Sequence, residues 1–292
     1  MKQPLVVSLI ALAALSAVAA HATPWFTQDP RTLPDGWWRV EEHFMYSGID
    51  HGLADGETAP LPGGVTNASA ITAHTRIRYG ARDDLTVFVD IPWVRKEAHT
   101  AAGTLDNDGL GDLQFLAKWK YRENKEQGWR RALAAFTKLD TGDTEGLPPL
   151  LATGSGQNDF GLTHLWEWRH AGSTWYASTG YVFRDTRDDT GVDPGDWIVL
   201  NLAAEHPIGD SHANFVCELN GRREARSRQG GQSLANSGAT IFSLTPGVQY
   251  VDKKPNGRSI TWEAGVQIPV FQHGNLPAIP DYTVYAGGYA IF

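Results

Sequence analysis

Two short segments carry residue types that could do chemistry. DNDGLGD, Asp106 to Asp112, begins like a calcium loop, whose closely spaced carboxylates supply the oxygen ligands that Ca²⁺ prefers. Counted from Asp106, position five is Leu110 and position twelve is Ala117, where such a loop needs oxygen ligands. We therefore favour a solvated acidic loop over a weak external cation site. GDSH, Gly209 to His212, places a hydroxyl beside an imidazole, but its residues are those of a tight turn.

A third segment, CELNGR, spans Cys217 to Arg222. Its last three residues resemble those of the His-x-Ser-Asn-Gly-Arg pattern of outer-membrane phospholipase, which is also a twelve-stranded barrel. The positions of the base and the nucleophile are occupied here by Cys217 and Leu219. Acyl transfer needs a general base beside a hydroxyl or thiol, and this segment does not supply the pair. We predict no catalytic residues, no enzyme, no metal site and no cofactor, and we expect Asn220 to Arg222 to end a strand.

The elements that carry these segments alternate with a period of two. In DLQFLAKWKYR, Asp112 to Arg122, Phe115, Trp119 and Tyr121 fall on one face, and Lys118, Lys120 and Arg122 fall on the other. Such alternation predicts a β-strand between two media. About twelve such segments follow one another: Trp37 to Ser47, Ser69 to Tyr79, Leu85 to Val94, Leu110 to Arg122, Trp129 to Asp140, Asp159 to Arg169, Thr174 to Asp185, Asp196 to His206, Ala213 to Arg222, Thr240 to Val251, Ser259 to Phe271, and Tyr282 to Phe292.

The connections between these segments alternate between long and short. The short ones are GARDD, ENKEQG, HAGS, PIGDSH and DKKPNGR, and the long ones are residues 48–68, 95–109, 141–158, 186–195, 223–239 and 272–281. An up-and-down membrane barrel has short periplasmic turns and longer external loops, whereas Greek-key crossings in a sandwich break this rhythm. The fold class predicted is all-β: a transmembrane up-and-down antiparallel β-barrel of about twelve strands. A periplasmic all-β protein is the alternative.

Length and composition divide the chain into three regions. Residues 1–22 have the charge, apolar run and small-residue end of a cleaved signal peptide, 23–36 form a short periplasmic N-terminal segment, and 37–292 form the barrel. Loss of Lys2 with the signal takes the formal net charge from -8 to -9, and no basic cluster remains, which excludes nucleic-acid partners. The single cysteine, Cys217, excludes an intramolecular disulfide.

The aromatic content and the last residue both indicate the bacterial outer membrane. Eleven Trp and nine Tyr stand beside only two Met, and Trp and Tyr favour membrane interfaces. Terminal Phe292 resembles the end signal by which outer-membrane proteins engage the barrel-assembly machinery. The expected partners are outer-membrane lipid and lipopolysaccharide, that machinery, and small-molecule solutes.

The same strand phase assigns charged residues to the lumen. For any single charged residue, the simpler interpretation is an ion pair that stabilises the barrel wall. As a group, the charged residues imply a polar interior. Arg122 and Glu205 share this phase, while Glu42 and His164 fall on the lipid face, which indicates a bulge, a strand end or a wrong assignment. The candidate lumen and substrate-binding residues are His74, Arg76, Arg78, Asp90, Lys118, Lys120, Lys138, Glu167, Glu218, Arg222 and Glu263.

Three segments resemble a known family. GLGDLQFLAKWKY, ATGSGQNDFGLTHLW and DYTVYAGGYAIF are similar to bacterial outer-membrane transporters of the Putative MetA-pathway of phenol degradation family. The resemblance implies a porin-like channel that takes up small, often hydrophobic or aromatic compounds, and it brings no catalytic residues. Uptake of carboxylated or other polar molecules is equally open. The function expected is passive uptake of small molecules; an outer-membrane lipid hydrolase and a structural or adhesive barrel are the alternatives.

Overall fold

A computed structural model of the chain describes residues 26–148, 150–186, 191–253 and 258–292. The predicted signal peptide, residues 1–22, lies outside the described residues. Among the described helices, none is long and apolar enough to cross a membrane.

Most of the described residues are in β-strands. One short 3-10 helix, Pro62–Gly64, interrupts them. In chain order the strands are β1 (Trp38–Ile49), β2 (His51–Ala54), β3 (Glu57–Ala59), β4 (Val65–Arg82), β5 (Leu85–Thr100), β6 (Gly103–Leu110), β7 (Gln114–Asn124), β8 (Trp129–Lys138), β9 (Asp159–His170), β10 (Ser173–Arg184), β11 (Val192–Asp193), β12 (Trp197–Pro207), β13 (Ala213–Glu224), β14 (Arg228–Gln229), β15 (Gln232–Ser233), β16 (Ala239–Lys253), β17 (Ser259–Gly274), β18 (Leu276–Ile279) and β19 (Tyr282–Ile291).

Twelve of these strands close into a barrel within the described part of the chain. The order around the barrel is β1, β4, β5, β7, β8, β9, β10, β12, β13, β16, β17 and β19, and each strand is antiparallel to its neighbours. The first and last strands pair from Arg39 opposite Ile291 to Gly48 opposite Tyr282, so the sheet has no free edge. Each of the twelve segments predicted from the sequence corresponds to one barrel strand. The prediction of an up-and-down barrel is confirmed.

Burial along the strands alternates as the sequence pattern predicts. In β1, exposed Val40 and Phe44 alternate with buried Glu41 and His43. In β7, Phe115 and Trp119 are 45% and 46% exposed, whereas Lys118 between them is only 3% exposed. Apolar side chains on the outside and charged ones inside are the pattern of a barrel in lipid, because lipid solvates no backbone edge and few charges. The chain therefore forms a transmembrane barrel of the bacterial outer membrane.

The external rim is more ordered than the sequence predicts. Within the described residues, five of the six predicted long loops contain strand residues; in the first two, β4 already begins at Val65, and β5 continues to Thr100 and turns back as β6. Gly103 has a φ of 137°, a conformation that favours glycine, and this allows the tight connection. The DNDGLGD segment is thus mostly strand, with Asp106 opposite Glu97. In the described residues no group of three or more His, Cys, Asp and Glu side chains could hold a metal ion.

The loop between β8 and β9 folds inward over the external end of the barrel. Its Leu150 and Leu151 are buried against Ile49, Ala98 and Ala278. The backbone of this loop is held by Asp112, whose carboxylate accepts hydrogen bonds from the N–H groups of residues 142 and 155 at 3.1 and 2.9 Å. The bore is therefore narrowed from outside.

Candidate functional site in the bore

The candidate lumen residues lie inside the barrel. Lys120 is the exception in burial, because its side chain is 22% exposed near the periplasmic end and bonds Glu123 at 3.1 Å. The other ten are at most 9% exposed: His74, Arg76, Arg78, Asp90, Lys118, Lys138, Glu167, Glu218, Arg222 and Glu263.

In the periplasmic half, one group of these charges forms an ion-pair network on the wall made by β1, β4 and β5. Glu41 lies within ion-pair distance of Arg39 at 2.8 Å, of Arg76 at 3.2 Å and also of Arg78. Arg76 also reaches Asp90, at 3.4 Å. Each buried carboxylate thus has a cationic partner, as burial of charge requires. In the part of the chain that the structure describes, the charges of this network thus pair with one another along the wall.

Two further pairs extend this wall. His74 lies 3.1 Å from Asp90, and His43 lies 2.8 Å from Glu263. Arg39, Glu41 and His43 were not among the sequence candidates, although all three lie on the inward phase of the predicted first strand. Carrying the alternation through that strand would have found them.

A segment of the N-terminus runs inside the barrel. We call residues 26–33 the inner segment; Phe26, Thr27 and Asp29 within it are at most 5% exposed. It enters from the short turn between β4 and β5, where the Leu33 N–H donates to Thr86 Oγ1 at 2.8 Å. Residues 26–33 of the predicted short periplasmic N-terminal segment, 23–36, thus lie inside the barrel in this structure. Polar groups of the bore satisfy the buried backbone, which makes the location stable.

Glu218 of β13 holds the tip of the inner segment. Its Oε2 accepts the backbone N–H groups of Phe26 and Thr27 at 3.0 and 2.7 Å. The Phe26 ring lies edge-on to Tyr285, with centroids 6.0 Å apart, and packs with Met45. Phe26 is therefore fixed by both a charged acceptor and an aromatic wall.

Two cations connect the middle of the inner segment to the barrel wall, one from the wall and one from the segment itself. Lys118 Nζ donates to the backbone oxygen of Asp29 at 2.9 Å. Arg31 bonds Glu167 at 2.8 Å and the Tyr176 hydroxyl at 2.7 Å. These polar contacts reach three separate strands, β7, β9 and β10.

Above the inner segment, towards the external side, lies a cavity of about 170 Å³. Phe26 forms part of its lining, and Trp197 is held between Arg184 and Arg222, whose guanidinium carbons lie 4.4 and 4.8 Å from the ring centroid. Lys96, Asp159 and Arg222 contribute the charged part of the lining. The apolar part includes Met45, Val94, Phe136, Val182, Trp197, Ile241 and Ile279.

A second charge network closes the external half. Lys138 bonds Asp112 at 2.8 Å and the backbone oxygen of Gln157 at 2.9 Å, and it lies 3.3 Å from Asp159. Arg184 pairs with Glu224 at 3.1 Å. Lys138 thus joins two barrel strands to the inward-folded loop.

The segments that first suggested chemistry do not assemble a reaction centre. Asn220 continues strand β13, which ends only at Glu224, so the prediction that residues 220–222 end a strand is wrong by two residues. Asn220 hydrogen-bonds Thr245 at 3.1 Å, within the wall. GDSH forms the predicted turn: Ser211 Oγ donates to the Ile208 carbonyl at 2.5 Å.

Three residues show where the assumed phase held or failed. Glu42 faces outward without a bulge and accepts a hydrogen bond from Thr75 Oγ1 at 2.8 Å. His164 also faces outward and bonds the Tyr121 hydroxyl at 2.6 Å. Arg122 does not face the lumen, because the pairing of β7 with β8 shifts register between Lys120 and Arg122. Beyond this irregularity the side chain points to the outside, which corrects the prediction from the sequence.

Comparisons with known proteins agree with this architecture. The family profile described as Putative MetA-pathway of phenol degradation matches residues 52–268. The crystal structure of an outer membrane channel from Pseudomonas putida F1 is similar with a TM-score of 0.74 and 15% identity, over 90% of this chain and 98% of that one. At this identity the likeness shows the fold alone.

Two further outer-membrane barrels are less similar in structure. The monoaromatic hydrocarbon channel CymD matches at 8% identity with a TM-score of 0.41, over 89% of this chain and 88% of its own. The translocator domain of the autotransporter NalP from Neisseria meningitidis matches at 11% identity with a TM-score of 0.47, over 96% and 92%. No curated protein sequence matches the chain significantly.

Proposed function

We propose that this chain, which belongs to the Putative MetA-pathway of phenol degradation family, is an outer-membrane channel for passive uptake of small hydrophobic or aromatic molecules. The observation that carries the proposal is the cavity in the external half of the bore. Its lining combines Phe26, Phe136 and Trp197 with a few charged groups. Small-molecule sites are concave and largely apolar, with few polar groups that orient the ligand.

The charged lining sets which aromatic molecules the cavity favours. Arg222 lies beside the Trp197 ring, and Lys96 lines the same cavity, so that the local field favours a negative or electron-rich solute. Asp159 is the acidic group in this lining, and Lys138 and Arg184 compensate it at 3.3 and 3.8 Å. Phenolic and carboxylated aromatic molecules therefore fit better than aromatic cations.

The inner segment is the barrier between this cavity and the periplasm. Lys118, Glu167 and Glu218 hold it, whereas Arg76, Arg78, Asp90, His74 and Glu263 form the wall beside it. Most of the contacts are hydrogen bonds and ion pairs to a single short segment. Passage requires this segment to leave the bore, while the twelve-stranded wall stays intact.

Single-channel current in a planar bilayer tests the proposal. The refolded mature protein, residues 23–292, is compared with a variant that lacks residues 26–33, each with and without benzoate or phenol. We expect brief, small steps from the full chain, longer and larger steps from the deletion variant, and a concentration-dependent reduction of current by the aromatic solutes. A deletion variant that folds but conducts no ions would refute a channel through this bore.

Solute specificity needs its own control. Substituting Val182→Asp puts a carboxylate into the lining and should weaken block by benzoate more than block by phenol. Val87→Asp, on the outer face of β5, changes the charge equally without touching the cavity. Equal block of all three proteins would show that the aromatic solutes do not enter the cavity.

A further inference from the structure

The register shift in β7 creates a pair of arginines on the outer face of the barrel. Arg122 lies opposite Arg131 of β8, and both are exposed. Both guanidinium carbons also lie over Trp129, at 5.5 and 5.4 Å from the ring centroid. Without the shift, Arg122 would continue the inward phase of Lys118 and Lys120, away from Arg131.

Neither arginine has an acidic partner in the part of the chain that the structure describes. Among the described residues, no carboxylate oxygen lies within 4.0 Å of either side chain, whereas the neighbouring Arg130 pairs with Glu123 at 2.6 Å and Glu167 at 2.5 Å on the inside. Like charges directly opposite each other in a sheet are destabilising, so this pair favours an anionic ligand. The planar guanidinium groups match the oxygen atoms of a phosphate.

The location of the pair decides which anion it meets. Arg122 lies two residues before the end of β7, and Arg131 is the third residue of β8, so both flank a short turn at the periplasmic end. Exposed aromatic rings surround the site on the same outer face, including Trp119, Trp168 and Trp175, at 46%, 38% and 41% exposure. Aromatic rings of this kind lie at head-group level.

We propose that this arginine pair and Trp129 bind the phosphate of an anionic phospholipid, such as phosphatidylglycerol, in the periplasmic leaflet. The guanidinium groups bond the phosphate, and the acyl chains lie along the apolar face of β7, β8 and β9. Lipopolysaccharide does not fit, because it belongs to the leaflet at the opposite, external end of these strands. The site is independent of the bore and of any solute.

Native mass spectrometry of the folded protein, released from detergent with added lipid, tests the proposal. Two membrane-surface arginines favour an anionic lipid by about 30-fold. We expect the wild type to retain phosphatidylglycerol over phosphatidylcholine by roughly this factor, and the double variant Arg122→Gln, Arg131→Gln to lose the preference.

The matched control is Arg82→Gln, Arg95→Gln, which removes the same charge at exposed sites where each arginine already pairs with an acid, Asp84 and Glu97. This control should keep the preference for phosphatidylglycerol. Resistance of each barrel to unfolding in cold detergent verifies that the variants are folded. No preference in the wild type, or equal preference in the two double variants, would overturn the proposal; either result would mean ordinary lipid contact.

Discussion

Replacing Glu218 by glutamine should release the inner segment from the bore. The side chain keeps its shape and its amide oxygen can still accept the two backbone N–H groups, but the negative charge that strengthens both bonds is lost. Those bonds are 3.0 Å from Phe26 N and 2.7 Å from Thr27 N. We call the conformation in which the inner segment occupies the bore the closed conformation. Both bonds exist only in this conformation, so weakening them destabilises the closed conformation relative to the open one.

The magnitude follows from the kind of bond that is lost. A hydrogen bond to a charged acceptor contributes about 1.5–3 kcal/mol, and one between neutral groups about 0.5–1.5 kcal/mol. For two bonds, the difference is about 2–3 kcal/mol. At about 1.4 kcal/mol for each factor of ten, the ratio of closed to open conformations should fall about 30- to 150-fold.

Single-channel recording measures this ratio directly as open probability. The matched control is Glu263→Gln, which removes a charge from another buried carboxylate of the bore, one that bonds His43 and Gln249 of the wall. Glu218→Gln should open far more often than the wild type, and Glu263→Gln should not. If both variants kept the wild-type open probability, the inner segment would not be the gate.

Three other substitutions test separate parts of the bore. Lys118→Glu removes the bond to the inner segment and reverses a buried charge, so open probability should rise and the reversal potential should shift towards cation selectivity. Lys138→Met leaves buried Asp112 without its ion-pair partner and leaves Asp159 with Arg184 alone, and it should cost about 3–5 kcal/mol, seen as a lower urea midpoint. Gly161→Ala places a methyl group 1.9 Å from the Phe136 ring and should cost about 1–3 kcal/mol in the same assay.

Each of these outcomes has a control within the chain. Lys120→Met removes a half-buried amine that pairs with Glu123 and should change the urea midpoint by about 0–1 kcal/mol. If Lys120→Met and Lys138→Met lowered the urea midpoint equally, burial would not be the reason why the Lys138 ion pairs contribute more to stability. An unchanged reversal potential in Lys118→Glu would place that residue away from the conducting path, and an unchanged midpoint in Gly161→Ala would mean that Phe136 moves freely.

The barrel could be predicted from the sequence because the pattern that indicates each strand lies within that strand. A strand between lipid and a polar bore must alternate at every second residue, and residues 112–122 show this without any knowledge of their partners. Alternating loop lengths add the antiparallel order. Irregularities in strand pairing are harder to predict. One extra residue near Tyr121 reverses which side chains of β7 face the lumen, and no residue type in the sequence marks this position.

The location of the inner segment could not be predicted in this way. Its partners are far away in the chain: Glu218 lies 192 residues from Phe26, and Lys118 lies 89 residues from Asp29. The segment is held through its backbone and through single charged side chains. Such contacts need no alternation of polar and apolar residues, and the amino-acid sequence of residues 26–33 shows none. Only the closed barrel brings those charges together around it.

The division of charge in the bore explains how one wall can be both stable and selective. Ion pairs such as Glu41 with Arg76 satisfy each other and leave little for a solute to bind. Glu218 and Lys118 differ, because they bond the backbone of a separate segment that the barrel does not need for closure. Under the proposed channel function, charges that bond the wall fix its shape, whereas charges that bond the inner segment set how often the cavity beside Phe26 connects to the periplasm.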